Sequence, residues 1–283
     1  MSFSPLIIVN GVHNAQISPL DRGFAYGDGV FETMAMESGD IRLLNWHLAR
    51  LNDACQTLSI PLNESTLLAQ LEQTIAAAVA AKIDRAIVKI IVTRGEGGRG
   101  YATPNPVRPT LCTIVNPPAN HPLGNRQNGI KLFACSQTLG RNRSLAGLKH
   151  LNKLEYILAR DEWSDDTYAE GLICDDRGHI IEGTFSNIFF VCEGALVTPR
   201  LSQCGVAGVM RKIIIEELAP LLSVPVRQID FLPEDLDQVD EVFVCNSVIG
   251  IWPVMSYAKH SWTVGDLSRK LQTALQTFLG RAE

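Results

Sequence analysis

Long hydrophobic runs are missing from these 283 residues. The apolar stretch near the start, residues 6–9, is far short of the roughly 20 residues that a membrane-spanning helix needs. It also lacks the basic head, apolar centre and small-residue exit of a secretory leader. Positive charge is scarce too. The net charge is -5, and no basic run exceeds two residues. A nucleic-acid binder carries a basic face, so neither nucleic acid nor membrane is expected as a partner. The seven cysteines (Cys55, Cys112, Cys135, Cys174, Cys192, Cys204 and Cys245) include no CxxC pair. An odd, scattered set argues against a disulfide framework and for buried, reduced thiols in a cytosolic protein. The six histidines show no metal-ligand spacing, so no metal site is expected. A GxxxxGK[ST] phosphate loop, an HExxH helix and a GxSxG elbow are all absent. The loop GEGGRG at residues 95–100 lacks the Lys-Ser/Thr ending of a phosphate loop and reads as flexible.

What remains is ordinary globular material, 46% hydrophobic and 19% charged. The length exceeds a typical single core, so two domains are expected. Residues 117–129 contain three prolines, two glycines and three asparagines. That composition marks a linker between a domain at 1–116 and another at 130–283.

Short strands open the chain. Residues 7–9 run into Asn10-Gly11, a hairpin signal. A strand over 30–36 ends at Gly39-Asp40. A helix is expected from Asn45 as its cap, with Leu48, Leu51, Cys55 and Leu58 on one face. A second helix starts near Asn63 and is expected to bury Leu67, Leu68, Leu71, Ile75 and Val79. Two β-branched runs follow, at 86–93 and 110–115. Past the linker come a strand at 130–135, a helix over 151–163, and a hairpin at 168–181. Strands at 189–191 and 195–197, a helix over 207–222, strands at 241–245 and 251–255, and a last helix through Leu267, Leu271, Leu275 and Phe278 complete the chain. Strands dominate and helices are few, which is α+β order rather than strict alternation.

The chain has only eight lysines. Most fall on amphipathic helices or strand ends and read as solvated. Lys149 sits in LAGLKHLNKLEYILAR, with small and apolar residues before it. In such company an amine pKa can fall by desolvation. By its setting alone it is either a surface lysine or a functional amine. Glu182, likewise, is either a solvated hairpin residue or a functional carboxylate.

Six blocks in order choose between these readings. They are DRGFAYGDGVFET (21–33), HLARL (47–51), the lysine segment, EGTFSNIFF (182–190), GVAGVMR (205–211) and CNSVIGIWPV (245–254). Together they resemble the fold-type IV pyridoxal phosphate enzymes, a group of branched-chain aminotransferases, D-amino acid aminotransferases and aminodeoxychorismate lyases. The blocks VTRGEGGRGY (92–101) and LGRNRSLAGLKHLNKLE (139–155) are most similar to the lyase branch. Branched-chain transaminases carry Asn-Tyr-Leu where this chain has Asn152-Lys153-Leu154. D-amino acid transaminases carry a histidine two residues after the loop arginine, where this chain has Tyr101.

The resemblance implies a two-domain fold: a small N-terminal α/β domain and a larger C-terminal domain with a barrel-like β core and flanking helices. It implies pyridoxal 5'-phosphate as cofactor and a homodimer with the active site near the subunit interface. Lys149 would be the Schiff-base lysine and, once displaced, the general base and acid. Glu182 would face the pyridine nitrogen. Arg50, the turn Gly208, Val209 and Met210, and Ser247 would bind the phosphate. Arg99, Tyr101 and Asn246 would line the substrate site. The implied reaction converts 4-amino-4-deoxychorismate to 4-aminobenzoate and pyruvate, for folate synthesis. Transamination on the same scaffold and a silent binding protein are the alternatives.

Overall fold

The computed structural model describes residues 5–118 and 120–282. The chain divides into two units. The first holds Met1–Asn120 together with Lys149–Asn152, and the second His121–Leu148 with Lys153–Glu283.

The first unit runs β1 (Leu6–Val9), β2 (Val12–His13), α1 (Arg22–Tyr26), β3 (Gly29–Glu37), β4 (Asp40–Ile41), α2 (Leu44–Thr57), α3 (Glu64–Ala80), β5 (Arg85–Thr93) and β6 (Thr110–Asn116). Its six strands form one antiparallel sheet in the order β2-β1-β6-β5-β3-β4. Asn10 and Gly11 both take positive φ, as the tight β1–β2 turn requires. The expected cap at Asn45 is wrong. The α2 helix begins at Leu44, and Leu43, in the left-handed region, precedes it with no side-chain cap. Asn63 does cap α3, accepting the Thr66 amide at 3.0 Å.

The buried face of α3 also differs from expectation. Leu67 and Leu71 are buried, but Leu68 and Val79 are exposed. Gln70, Thr74 and Ala78 complete the buried stripe. Two polar side chains displace two apolar ones because strand groups satisfy them. The Gln70 amide nitrogen donates to the carbonyls of Ile8 (3.0 Å) and Leu111 (3.2 Å), while its oxygen accepts from the Gly11 amide. The Thr74 and Thr113 hydroxyls bond each other at 2.7 Å. Buried polar groups are tolerated when paired in this way.

The second unit runs α4 (Gly124–Asn128), β7 (Ile130–Leu139), α5 (Leu154–Arg160), β8 (Glu170–Asp175), β9 (Ile180–Gly183), β10 (Asn187–Cys192), β11 (Ala195–Pro199), α6 (Val209–Ile213), α7 (Ala219–Leu221), β12 (Val226–Ile229), β13 (Glu241–Asn246), β14 (Gly250–Tyr257), β15 (His260–Ser261) and α8 (Asp266–Ala282). The sheet order is β12-β11-β10-β13-β14-β7-β8-β9, with β15 on β14. Its far strand β9 packs back against β10 and β11, which curls the sheet into the barrel-like core the resemblance implied. Phe190, Phe231, Val244 and Trp252 fill that core, and Phe190 stacks on Phe231 at 4.0 Å.

Two helices depart from expectation. The helix over 207–222 is interrupted, because a π turn at Ile214–Leu218 joins α6 to α7. Pro220 follows it, and without an N–H it cannot make the bond that a regular helix would send back four residues. The helix over 151–163 begins only at Leu154. Residues 149–151 are instead extended along β3: the Phe31 amide donates to the Lys149 carbonyl at 3.0 Å, and the Leu151 amide to the Gly29 carbonyl at 2.9 Å. All seven cysteines are free, with Cys135, Cys174 and Cys192 only half-buried.

Candidate active site

In the first unit, Lys149 is carried on this extended segment. Its ammonium lies 4.4 Å from the centre of the Phe31 ring, a cation–π distance. The next residue of β3, Glu32, points to the opposite, buried face, in phase with Val30, Met34 and Met36. A carboxylate there needs partners, and α2 supplies them. Arg50 donates from Nε to Oε1 at 2.7 Å and from Nη2 to Oε2 at 2.5 Å. His47 meets Oε2 through Nδ1 at 2.6 Å. Burial alone would raise the Glu32 carboxyl, but the Arg50 charge and the hydrogen bonds from His47 and Arg50 bring it down to about 2. Burial lowers the His47 pKa, and the Arg50 and Lys149 charges add to that, against the pull of Glu32. His47 is therefore neutral at pH 7 with its proton on Nδ1. Its Nε2 is buried with no hydrogen-bond partner among the described residues.

The loop between β5 and β6 carries Arg99 and Tyr101. Arg99 is exposed and Tyr101 is 84% exposed, while the Tyr101 ring makes an edge contact with Tyr26 at 5.5 Å.

In the second unit, Glu182 on β9 is buried and accepts hydrogen bonds on both carboxylate oxygens. They include those from the Tyr156 hydroxyl of α5 (2.5 Å), the Asn187 amide (2.8 Å) and the Val206 backbone amide (2.9 Å). Beside this charge, burial first and then Glu182 itself push the Tyr156 hydroxyl far up, so it stays a donor. The other end of the Asn187 side chain accepts the Gly208 amide at 3.1 Å. A Cβ on Gly208 would meet that oxygen at 2.1 Å, so only glycine fits the start of α6. The amides of Val209 and Met210 lie in the first turn, where no carbonyl of their own helix reaches them. Asn246 donates to the Phe185 carbonyl at 3.0 Å and accepts from the amides of Val248 and Ile249. Its side chain thus ties the half-buried Ser247 turn to the turn that follows Glu182.

A further carboxylate holds that turn. Glu170 is fully buried and accepts from the amides of Gly171, Thr184 and Phe185 and the hydroxyls of Thr184 and Ser186. Sequence reasoning missed Glu32, His47, Tyr156, Glu170 and Asn187. For Glu32 a signal existed, an acid in the apolar phase of an alternating strand. No such local signal marks Tyr156 or Asn187, whose roles arise from pairing across elements.

Each unit carries groups that suit a phosphorylated pyridine aldehyde: the first a lysine amine and an arginine, the second a buried carboxylate fixed by hydrogen-bond donors and a glycine-opened helix start. Among the described residues no group of His, Cys, Asp and Glu could hold a metal ion. No described helix is long and apolar enough to cross a membrane.

A model of the amino-transferase class IV family matches residues 29–257. An aminodeoxychorismate lyase of Vibrio harveyi is 36% identical over 275 residues, 95% of this chain and 99% of that protein. A putative branched-chain-amino-acid aminotransferase of Methanocaldococcus jannaschii is 30% identical, over 92% of this chain and 90% of that protein. The crystal structure of 4-amino-4-deoxychorismate lyase from Pseudomonas aeruginosa aligns with a TM-score of 0.90 at 48% identity, covering 97% of this chain and 99% of that one.

Proposed function

This chain belongs to the class IV aminotransferase family, and from that premise we propose that it is a pyridoxal phosphate-dependent lyase converting 4-amino-4-deoxychorismate to 4-aminobenzoate and pyruvate, a step toward folate. The observation that carries the choice of reaction is the near-full-length likeness to two proteins named as this lyase, at 36% and 48% identity.

The cofactor, when bound, supplies an electron-accepting ring joined to the substrate amine. Lys149 would be the residue that holds it. As a free amine, Lys149 would remove the proton from the amine-bearing ring carbon. The enolpyruvyl group leaves with the electron pair of its carbon–oxygen bond and needs one proton to become pyruvate. One proton is lost and one gained, so Lys149 serves as base and then as acid. Glu182 would face the pyridine nitrogen and keep it protonated, and the donors on its two oxygens fix its direction. Arg50, aimed by Glu32, would bind the phosphate, as would Ser247 and the amides of Val209 and Met210, while the Gly208 amide is held by Asn187 and Gly208 opens the turn. Asn246 shapes the pocket wall, and Arg99 and Tyr101 take the substrate carboxylates.

The enzyme works as a homodimer in the reducing cytoplasm. Exposed Leu154, Ile157 and Leu158 on α5 support a subunit contact, and seven free cysteines suit that compartment.

The deciding assay measures pyruvate and 4-aminobenzoate released from aminodeoxychorismate. Wild type should release both in equal amounts, and Lys149→Ala should fall by three orders of magnitude or more (~10³-fold) and lose the near-visible absorbance of the loaded protein. Steady amino-group transfer to 2-oxoglutarate with no pyruvate would overturn the lyase reading.

A further inference from the structure

The loop between β5 and β6 is long, and its proposed substrate residues stand out in solvent. Loops of this length without regular structure are commonly functional. Its tip is nonetheless held from inside by Arg22 of α1, whose side chain is only 6% exposed. The Arg22 guanidinium donates to three consecutive carbonyls of the loop: Gly100 (3.3 Å), Tyr101 (3.2 Å) and Ala102 (3.3 Å). The stem closes around the same side chain. The Arg22 amide donates to the Gly95 carbonyl at 2.9 Å, and the Gly97 amide to the Leu20 carbonyl at 3.2 Å. A Cβ on Gly97 would meet Arg22 Cδ at 2.7 Å, so glycine is needed where the stem passes over it.

Arg22 is itself anchored. Its Nε donates to Asp28 Oδ2 at 2.8 Å, and Arg94 grips the same carboxylate through Nε (2.8 Å) and Nη2 (3.0 Å). Arg94 continues to the carbonyls of Leu58 (2.8 Å) and Ser59 (3.0 Å), at the C-terminal end of α2. One polar chain therefore runs from the helix that bears Arg50, through Arg94, Asp28 and Arg22, to the backbone of Tyr101. Burial would raise the Asp28 carboxyl, but the bonds and charges of Arg94 and Arg22 hold it below the usual range.

We propose that Arg22 is a positioning residue for substrate recognition, fixing the backbone of Gly100, Tyr101 and Ala102 so that Arg99 and Tyr101 present a preformed grip for a carboxylate-bearing substrate. The inference rests on the reading of that loop as the substrate element. Arg22 does not touch the reacting atoms, so its loss weakens binding of substrate more than the chemical step. Lysine cannot replace it. An ammonium can keep the pair with Asp28, but it lacks the planar fork that reaches three carbonyls.

Two measurements on Arg22→Ala and Arg22→Lys test this. The first is limited trypsin cleavage of the holoenzyme after Arg99, which lies in the tethered segment. Cleavage should be faster by about tenfold or more in both variants, with the cofactor absorbance unchanged. The second is steady-state kinetics on aminodeoxychorismate. KM should rise by about tenfold while kcat stays within about threefold. Unchanged cleavage in Arg22→Lys would overturn the tether, and that variant keeps the ion pair should Arg22→Ala fail to fold. Faster cleavage with unchanged KM would overturn the recognition role and leave the lyase assignment standing. A wild type that releases no pyruvate would instead sink the lyase assignment, while the cleavage rates still decide the tether.

Discussion

Two buried glutamates of this chain respond to pH in opposite directions. Glu32 is held down at about 2 by Arg50 and His47 against its own burial. Glu170 is pushed up to about 7, because burial outweighs even the five hydrogen bonds that favour its charged form. A depressed carboxyl contributes stability above its unfolded value, and that contribution is lost as pH falls through the folded value. For Glu32 the window runs from 4.5 down to about 2. A raised carboxyl does the reverse, since the folded state binds the extra proton between 4.5 and about 7. Stability from this source falls as pH rises through that window. Each limb amounts to something on the order of 3 kcal/mol. Urea unfolding from pH 2 to 8 should therefore give a maximum near pH 4 to 5 from this pair (~4.5). Glu170→Gln should flatten the upper limb and Glu32→Gln the lower one. An upper limb unchanged in Glu170→Gln would show that another group titrates there.

Helices and strands were legible wherever a local rule decided them. The Asn63 cap is the clearest case, since its side chain takes the Thr66 amide that the helix start leaves bare. Asn63→Ala should cost about 1 kcal/mol, read as a lower urea midpoint with an unchanged slope. An unaffected midpoint would mean that α3 is held by its buried stripe alone. That stripe was only half legible. Apolar periodicity finds Leu67 and Leu71, but it cannot see that Gln70 and Thr74 have partners waiting on β1 and β6. The same blindness placed a helix over residues 151–153, where pairing with β3 wins, and passed over the five-residue α1, capped by Asp21 and closed by left-handed Gly27.

At the scale of the molecule, the segment Lys149–Asn152 leaves the second unit's stretch of sequence and joins the first, placing Lys149 beside Phe31. A ligand that binds only the folded chain stabilises it by mass action. Pyridoxal phosphate at a hundredfold excess over its Kd should add about 2.7 kcal/mol, seen as a higher Tm in scanning calorimetry. Lys149→Ala should lose most of that gain, and an equal gain in the variant would mean that the lysine contributes little to holding the cofactor. The sequence by itself determined the α+β class and the family likeness, and through that likeness it pointed to a barrel-like second half and to the residues worth watching, because turn chemistry, alternation and motif order are local properties. Only the tertiary structure decided who holds whom. Glu32 finds Arg50 and His47 on another element, Glu182 finds Tyr156 and Asn187, and Arg22 closes on a loop 78 to 80 residues away in the chain. Buried polar groups must be paired, but which pair forms is fixed by packing and not by spacing along the chain.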